Sequence, residues 1–181
     1  MSIKEFWANT KIELGKIPIN ASILENEAKS NREYTTYDVE LTSFDNSLIA
    51  GWYSVPNHVG NQKVPGILAV PGYGGIKEIP SILPSSGFAV LTLFPRAQGE
   101  SEKFWKLENS TKLTHNIHDK FQYYYRGAYM DCVRGIDFLS SQPLVNENRI
   151  GMWSRSQGGG FTLATAALDD RIKAAVAEEP F

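Results

Sequence analysis

The sequence predicts an α/β fold: a mostly parallel sheet entered through an antiparallel hairpin and covered by helices. Three observations carry this expectation. Residues 64–70 (Val-Pro-Gly-Ile-Leu-Ala-Val) and 88–94 (Phe-Ala-Val-Leu-Thr-Leu-Phe) are continuous apolar runs of strand length, the pattern of strands buried on both faces. Helical periodicity lies between and after them, strongest at 124–141, where Ala128, Cys132, Ile136, Phe138 and Leu139 share one side. Upstream, β-branched and aromatic residues alternate with polar ones at 34–44 and 48–55, with Asp45-Asn46 between them as turn chemistry.

Taken in order, Phe6, Trp7, Ile12 and Leu14 fit a short helix stopped by Gly15 and Pro18, and the polar stretch 25–33 reads as a connection. Residues 1–33 are thus expected to be a helical extension ahead of an α/β domain at 34–181. The hairpin opens that domain. A loop at 56–63 leads into strand 64–70, then Pro71-Gly-Tyr-Gly-Gly75, a short helix and strand 88–94. Helix 124–141, the turn-rich segment 143–148 and strand 149–153 follow. A further helix, apolar over 161–168, stops at Asp169-Asp170, and 172–177 is the last strand. Six strands result, and the sheet is expected to be truncated after the sixth. An apolar edge at that strand would favour pairing with another copy or aggregation.

Composition narrows the function classes. At 181 residues and net charge −2, with no run of Lys or Arg, the chain offers no phosphate-tracking stripe, which argues against nucleic acid as a partner. It shows neither a signal-type apolar segment after Met1 nor eighteen consecutive apolar residues, so a cytoplasmic location with no membrane contact is the expectation. Cys132 is the only cysteine, which excludes an internal disulfide framework and a Cys-rich zinc site. His115, His118 and Asp119 lie close in sequence but in a loop, with no helix to fix them on one face, so they are read as solvated rather than metal-binding. Gly72, Gly74 and Gly75 lack the following Lys-Ser/Thr of a phosphate loop.

The most informative segment is Arg149-Ile-Gly-Met-Trp-Ser-Arg-Ser156-Gln-Gly-Gly-Gly160. It reads as a buried strand, a sharp turn with Ser156 at its apex, and a helix: a nucleophile elbow. Such a turn needs small residues two before and two after the serine, here Ser154 and Gly158, so that strand and helix can pass. The N–H of Gln157 opens the helix, where dipole and free donors favour developing negative charge. Glu178 and Glu179 leave the neighbouring strand at the same sheet edge and are read as structural, as is an ion pair among Arg96, Arg126 and Asp131. The aromatic groups Phe104-Trp105 and Tyr123 to Tyr125 suit either a pocket wall or core.

Further motifs resemble the acetyl xylan esterases and cephalosporin C deacetylases of the seventh carbohydrate esterase family, within the α/β-hydrolases. They are Thr42-Ser-Phe-Asp45, Gly51-Trp-Tyr53, Pro71-Gly-Tyr-Gly-Gly75, Arg96-Ala-Gln-Gly-Glu-Ser101, Tyr123-Tyr-Tyr-Arg-Gly-Ala-Tyr-Met-Asp131 and Ser156-Gln-Gly-Gly-Gly160. The resemblance implies an α/β-hydrolase fold and a metal-free serine esterase without cofactors, acting on small acetyl esters of sugars or related compounds and assembling as a homo-oligomer. It implies Ser156 as nucleophile and the backbone N–H groups of Tyr73 and Gln157 as oxyanion donors; Arg96, with Ser154 and Gly158, is read from the residues themselves as support for the elbow. Three departures stand out. Pro71 replaces the family's usual His, Ala97 replaces the Gly of Arg-Gly-Gln, and the family's triad acid and histidine lie beyond Phe181. None of His58, His115 and His118 occupies the place a triad demands. Two other readings use the same residues: a catalytically inactive truncated hydrolase kept for binding or assembly, and a fragment of a prolyl-oligopeptidase-type serine peptidase.

Overall fold

The computed structural model describes residues 1–60, 62–75, 77–107 and 111–181. Helix α1 (Ile3–Gly15) begins at a capping box, in which the Ser2 side chain accepts from the Glu5 N–H and the Glu5 carboxylate accepts from the Ser2 N–H. It ends at Gly15, as its sequence predicts. A strand β1 (Ser22–Glu25) then pairs antiparallel with β2 (Tyr34–Thr42). This strand escapes sequence reading because all four of its residues are exposed, so no burial alternation marks it. Among the described residues the sheet therefore has seven strands rather than the expected six. Strands β2 and β3 (Leu48–Pro56) form the predicted hairpin. Asp45 and Asn46 turn it with φ of 57° each, a left-handed conformation that Asp and Asn tolerate better than most residues.

The rest of the sheet comprises β4 (Val64–Ala69), β5 (Ala89–Phe94), β6 (Val145–Arg155) and β7 (Ile172–Glu178), in the order β1-β2-β3-β5-β4-β6-β7. Strand β3 joins β5 antiparallel, and β5, β4, β6 and β7 run parallel. All six residues of β5 are buried, as its unbroken apolar run requires. Strand β6 is longer than sequence suggests, because Val145 already pairs with Val64.

Between the strands come the short α2 (Ile82–Ser85), α3 (Tyr124–Ser141) and α4 (Gln157–Leu168). Helix α3 lies close on the sheet at Gly135, where a Cβ would fall 2.9 Å from Leu93 and 3.0 Å from Leu68. Its Tyr125 and Tyr129 rings meet Phe161 of α4, with centroids 5.7 Å apart in both pairs. Helix α1 is fastened to α3 by two arginines. Arg126 bonds Thr10 Oγ1 at 3.0 Å and Glu13 at 2.6 Å, and Arg134 donates to the carbonyls of Leu14 and Ile17 at 2.9 Å, closing the end of α1. Cys132 is fully buried in the core, and burial pushes its thiol pKa up, which suits packing rather than reactivity. Among the described residues no helix is long and apolar enough to cross a membrane.

Because β4, β5, β6 and β7 are parallel, their carboxyl ends meet at one edge. Pro71 to Gly75, Arg96 to Gln98, Ser156, and Glu178 all leave the sheet there, where sites of open α/β sheets collect.

Candidate active site

Ser156 stands between β6 and α4 with φ 59° and ψ −127°. A non-glycine residue there costs on the order of 1–3 kcal/mol and persists only where its surroundings hold it. They do so from both sides. The Ser156 N–H donates to Glu178 O at 2.9 Å, and its carbonyl accepts from Gly160 N at 3.1 Å. A Cβ on Gly158 would sit 2.8 Å from Pro71 O and 2.8 Å from the Ser154 Cβ, so strand and helix do pass where the sequence requires small residues. Ser154 is more than small. Its buried hydroxyl accepts the Val70 N–H at 2.8 Å, satisfying a donor just past the last residue of β4. Gly159 and Gly160 are also closely approached, since a Cβ would lie 3.0 Å from Glu178 O and 2.5 Å from Phe181 O, respectively.

The loop after β4 lies against the serine. A Cβ on Gly72 would be 3.7 Å from both Ser156 Cβ and Arg155 O. The loop closes as a tight turn, with Gly75 N donating to Gly72 O at 3.0 Å and Gly75 at φ 72°. Tyr73, half-buried, is therefore one residue from the contact with Ser156. Gln157 opens α4 and is itself buried. Gln157 thus directly follows the serine, and Tyr73 directly follows the glycine that touches it.

A polar chain behind this pair ties it to α3. Gln98 Nε2 donates to Gly72 O at 3.2 Å and to Gln157 Oε1 at 2.6 Å, and Gln157 Nε2 donates to Tyr125 Oη at 2.6 Å. Gln98 is placed by Arg96, whose guanidinium makes a bidentate pair with fully buried Asp131, both bonds 2.9 Å, while its N–H donates to the same carboxylate at 2.9 Å. Burial opposes the charge on Arg96, but Asp131 outweighs it and holds the guanidinium pKa above its ordinary value. Tyr124 Oη donates to Arg96 O at 2.9 Å. The Arg96 side chain thus bonds Asp131 and the Phe44 carbonyl, while Gln98, two residues on, bonds Gly72 and Gln157. Arg126 stands apart from this pair, engaged with α1.

The remaining polar residues do not reach the serine. Among the described residues no histidine or carboxylate hydrogen-bonds its hydroxyl. His58 and His118 are exposed, and His115 packs edge-on against Trp105, with ring centroids 5.7 Å apart. The Glu178 carboxylate accepts from Trp153 Nε1 at 2.6 Å, and Glu179 pairs with exposed Arg155 at 2.6 Å. No group of three or more His, Cys, Asp or Glu among the described residues is placed to hold a metal ion. Of the residues this site uses, sequence reasoning gave no individual role to Gln98, Tyr124 or Tyr125. The Arg96-Ala-Gln98 motif marks the first, but an aromatic run carries no sign of which hydroxyl points inward.

A parallel sheet whose strand β6 ends in a strained serine opening a helix, flanked by a glycine-rich turn after β4, is the architecture of the α/β-hydrolases. Within that class the chain belongs to the acetyl xylan esterase (AXE1) family, whose model matches residues 2–181. The acetyl xylan esterase of Paenibacillus sp. R4 superposes with a TM-score of 0.88 at 32% identity, over 98% of this chain and 58% of that one. Acetyl xylan esterase 1 of Thermoanaerobacterium sp. JW/SL YS485, at 23% identity, shares the fold with a TM-score of 0.87 over 98% of this chain and 58% of that one. Acetyl esterase Axe7A of Xylanibacter ruminicola is 41% identical over 68 residues, 38% of this chain and 16% of that protein. The chain thus spans 58% of the length of both solved esterases.

Proposed function

We propose that this chain carries the nucleophile and oxyanion half of a serine esterase acting on small acetyl esters. The observation that carries the reading is Ser156, held at φ 59° and ψ −127° beside Gly72. In this mechanism Ser156 Oγ attacks the acetyl carbon while the carbonyl π electrons move to oxygen, which accepts hydrogen bonds from the N–H groups of Tyr73 and Gln157. Each such donor supplies about 3 kcal/mol to the transition state. Collapse expels the alcohol and leaves acetyl-Ser156, which water converts to acetate and free serine. The Oγ proton must pass to a base and on to the departing alcohol. With no histidine of the described residues bonded to Ser156, we assign base and orienting acid to residues outside these 181, as the family resemblance implies. Arg96 and Gln98 are positioning residues. The same reading takes the protein as cytoplasmic, cofactor-free and homo-oligomeric, with an acetylated sugar or a cephalosporin-like compound as substrate.

That no histidine or carboxylate of the described residues hydrogen-bonds Ser156 favours a second reading, in which these 181 residues fold but do not turn over. Without base and acid, only a residual acceleration of roughly 10³ to 10⁴ over water is expected from oxyanion hole and binding. Hydrolysis of p-nitrophenyl acetate by the chain and by Ser156→Ala tests where the base lies. Turnover abolished by the substitution supports Ser156 as nucleophile but overturns the assignment of the base to residues outside these 181, requiring one from within the chain or from a second copy. A rate equal to that of Ser156→Ala leaves the elbow unarmed.

A further inference from the structure

A cavity of about 340 Å³ opens between α1, the first half of α3, the loop before it and Phe181. Most of its wall is aromatic. Phe6 and Trp7 of α1 meet edge to face with centroids 5.0 Å apart, Trp7 lies 5.7 Å from Tyr129, and Tyr129 lies 5.6 Å from Tyr125, so the lining of α1 and α3 is one run of touching rings. Leu113 lines the loop side, where its carbonyl accepts from Tyr123 Oη at 2.9 Å. The charges are one-sided. Lys120 and Arg126 line the cavity, and no carboxylate of the described residues does. Arg126 pairs with Glu13 at 2.6 Å, but Lys120 has no carboxylate within ion-pair distance among the described residues. Its Nζ lies 5.3 Å from the centroid of Phe121 and 6.0 Å from that of Phe6.

Small-molecule sites are concave, largely apolar or aromatic, and carry a few polar groups that fix orientation. The chemistry of this cavity narrows the ligand. Ring walls favour a planar aromatic guest, which gains stacked or edge-on contacts beyond its area burial. Two cations with no carboxylate in the lining set a positive potential that low-dielectric walls focus, and that favours an anion. Donors are also to spare. Tyr125 Oη accepts from Gln157 Nε2 at 2.6 Å while its own proton meets no acceptor among the described residues, and the Tyr129 hydroxyl makes no hydrogen bond among them. Burial, with a smaller push from Tyr125, brings the Tyr129 phenol pKa up to about 12, so this hydroxyl keeps its proton at neutral pH.

We propose that this cavity is a binding site for an aromatic carboxylate, whose ring packs on the walls from α1 and α3 and whose charge is met by Lys120. The site stands apart from the esterase reading, because it is tested by binding and not by turnover. Calorimetry on the 181-residue chain compares 2-naphthoate with its neutral amide, 2-naphthamide, and with decahydronaphthalene-2-carboxylate, a saturated anion of the same carbon skeleton. The expected result is roughly 5- to 10-fold tighter binding of naphthoate than of the amide at low salt, as for a partly shielded charge pair. Naphthoate should also bind more tightly than the saturated anion. The preference over the amide should shrink as salt rises, persist in Lys120→Arg and vanish in Lys120→Met. Leu113→Trp, which enlarges a lining side chain that is 42% exposed, should weaken all three. Equal affinities for naphthoate and the amide, or a saturated anion bound as tightly, would overturn the proposal. So would an affinity for naphthoate that neither Lys120→Met nor Leu113→Trp alters, or no binding at millimolar concentration, as when a second copy fills the cavity. Thermal unfolding of each variant checks that the fold is retained.

Discussion

At Ala97 the backbone takes φ 56°, where the family usually places glycine. The magnitudes explain why alanine is tolerated. The left-handed conformation costs about 1–2 kcal/mol, but the buried methyl recovers about 0.8 kcal/mol, and alanine loses about 0.4–1 kcal/mol less conformational entropy on folding. The sum is close to zero. Ser154 shows the opposite case, in which a departure from glycine adds an interaction. Ser154→Ala keeps the size that Gly158 permits but strands the buried Val70 N–H, at about 1–3 kcal/mol. Urea unfolding should show that loss as a lower midpoint with an unchanged slope. An unchanged midpoint would mean that Val70 finds another acceptor.

Between elements, polar side chains set the geometry that apolar packing leaves loose. The Arg96–Asp131 pair anchors the loop after β5 to α3 and imposes its own sequence requirement, because a Cβ at Gly127 would fall 2.3 Å from the Arg96 guanidinium. Removing one partner of such a buried pair typically costs about 3–5 kcal/mol, mostly through the charge left behind. A second junction joins the end of α4 to α3, where Arg171 pairs with Asp169 and Asp137, both at 2.6 Å. Burial alone would raise the Asp169 pKa, but the hydrogen bonds and charge of Arg171 prevail and hold it below the ordinary carboxylate value. The sign of the pH effect follows. With the folded pKa depressed, the contribution is fully present above the unfolded value of about 3.9, and it is lost as pH falls through the folded value. Asp169→Asn should therefore flatten the decline of thermal stability below about pH 4. A melting profile that declines as steeply in Asp169→Asn would remove Asp169 from the account.

Across the whole molecule, β7 is, with β1, one of the two exposed edge strands of the described sheet. It bounds the sheet, only Ile172 and Ala177 are half-buried, and the other residues are exposed, Val176 at 52%. Exposed backbone donors and acceptors beside apolar side chains invite pairing. The 181-residue chain is expected to elute from a sizing column above its 20.2 kDa monomer mass, and Val176→Lys should shift it back toward the monomer. Elution as a stable monomer at micromolar concentration would sink this idea.

Most of the architecture was legible in the chain, and the exceptions have physical reasons. The buried strands announce themselves through unbroken apolar runs, the hairpin through alternation around Asp45-Asn46, and the elbow through small residues bracketing Ser156. Strand β1 was illegible because an exposed edge strand is defined by its partner rather than by its own side chains. Lys120 and Tyr125 were equally silent, since a lysine and a tyrosine have many surface uses and only folding decides what each one faces. By itself the sequence determined the order of the buried strands and the main helices and the position of the strained serine, because periodicity and steric allowance are local properties of a chain. Only the tertiary structure decided that Gln98 joins Gly72 to Gln157, that Arg96 chooses Asp131 while Arg126 goes to α1, and that Lys120 lines one cavity with the rings of α1 and α3. Those contacts join residues far apart in sequence, and no local pattern encodes which polar groups will be buried together.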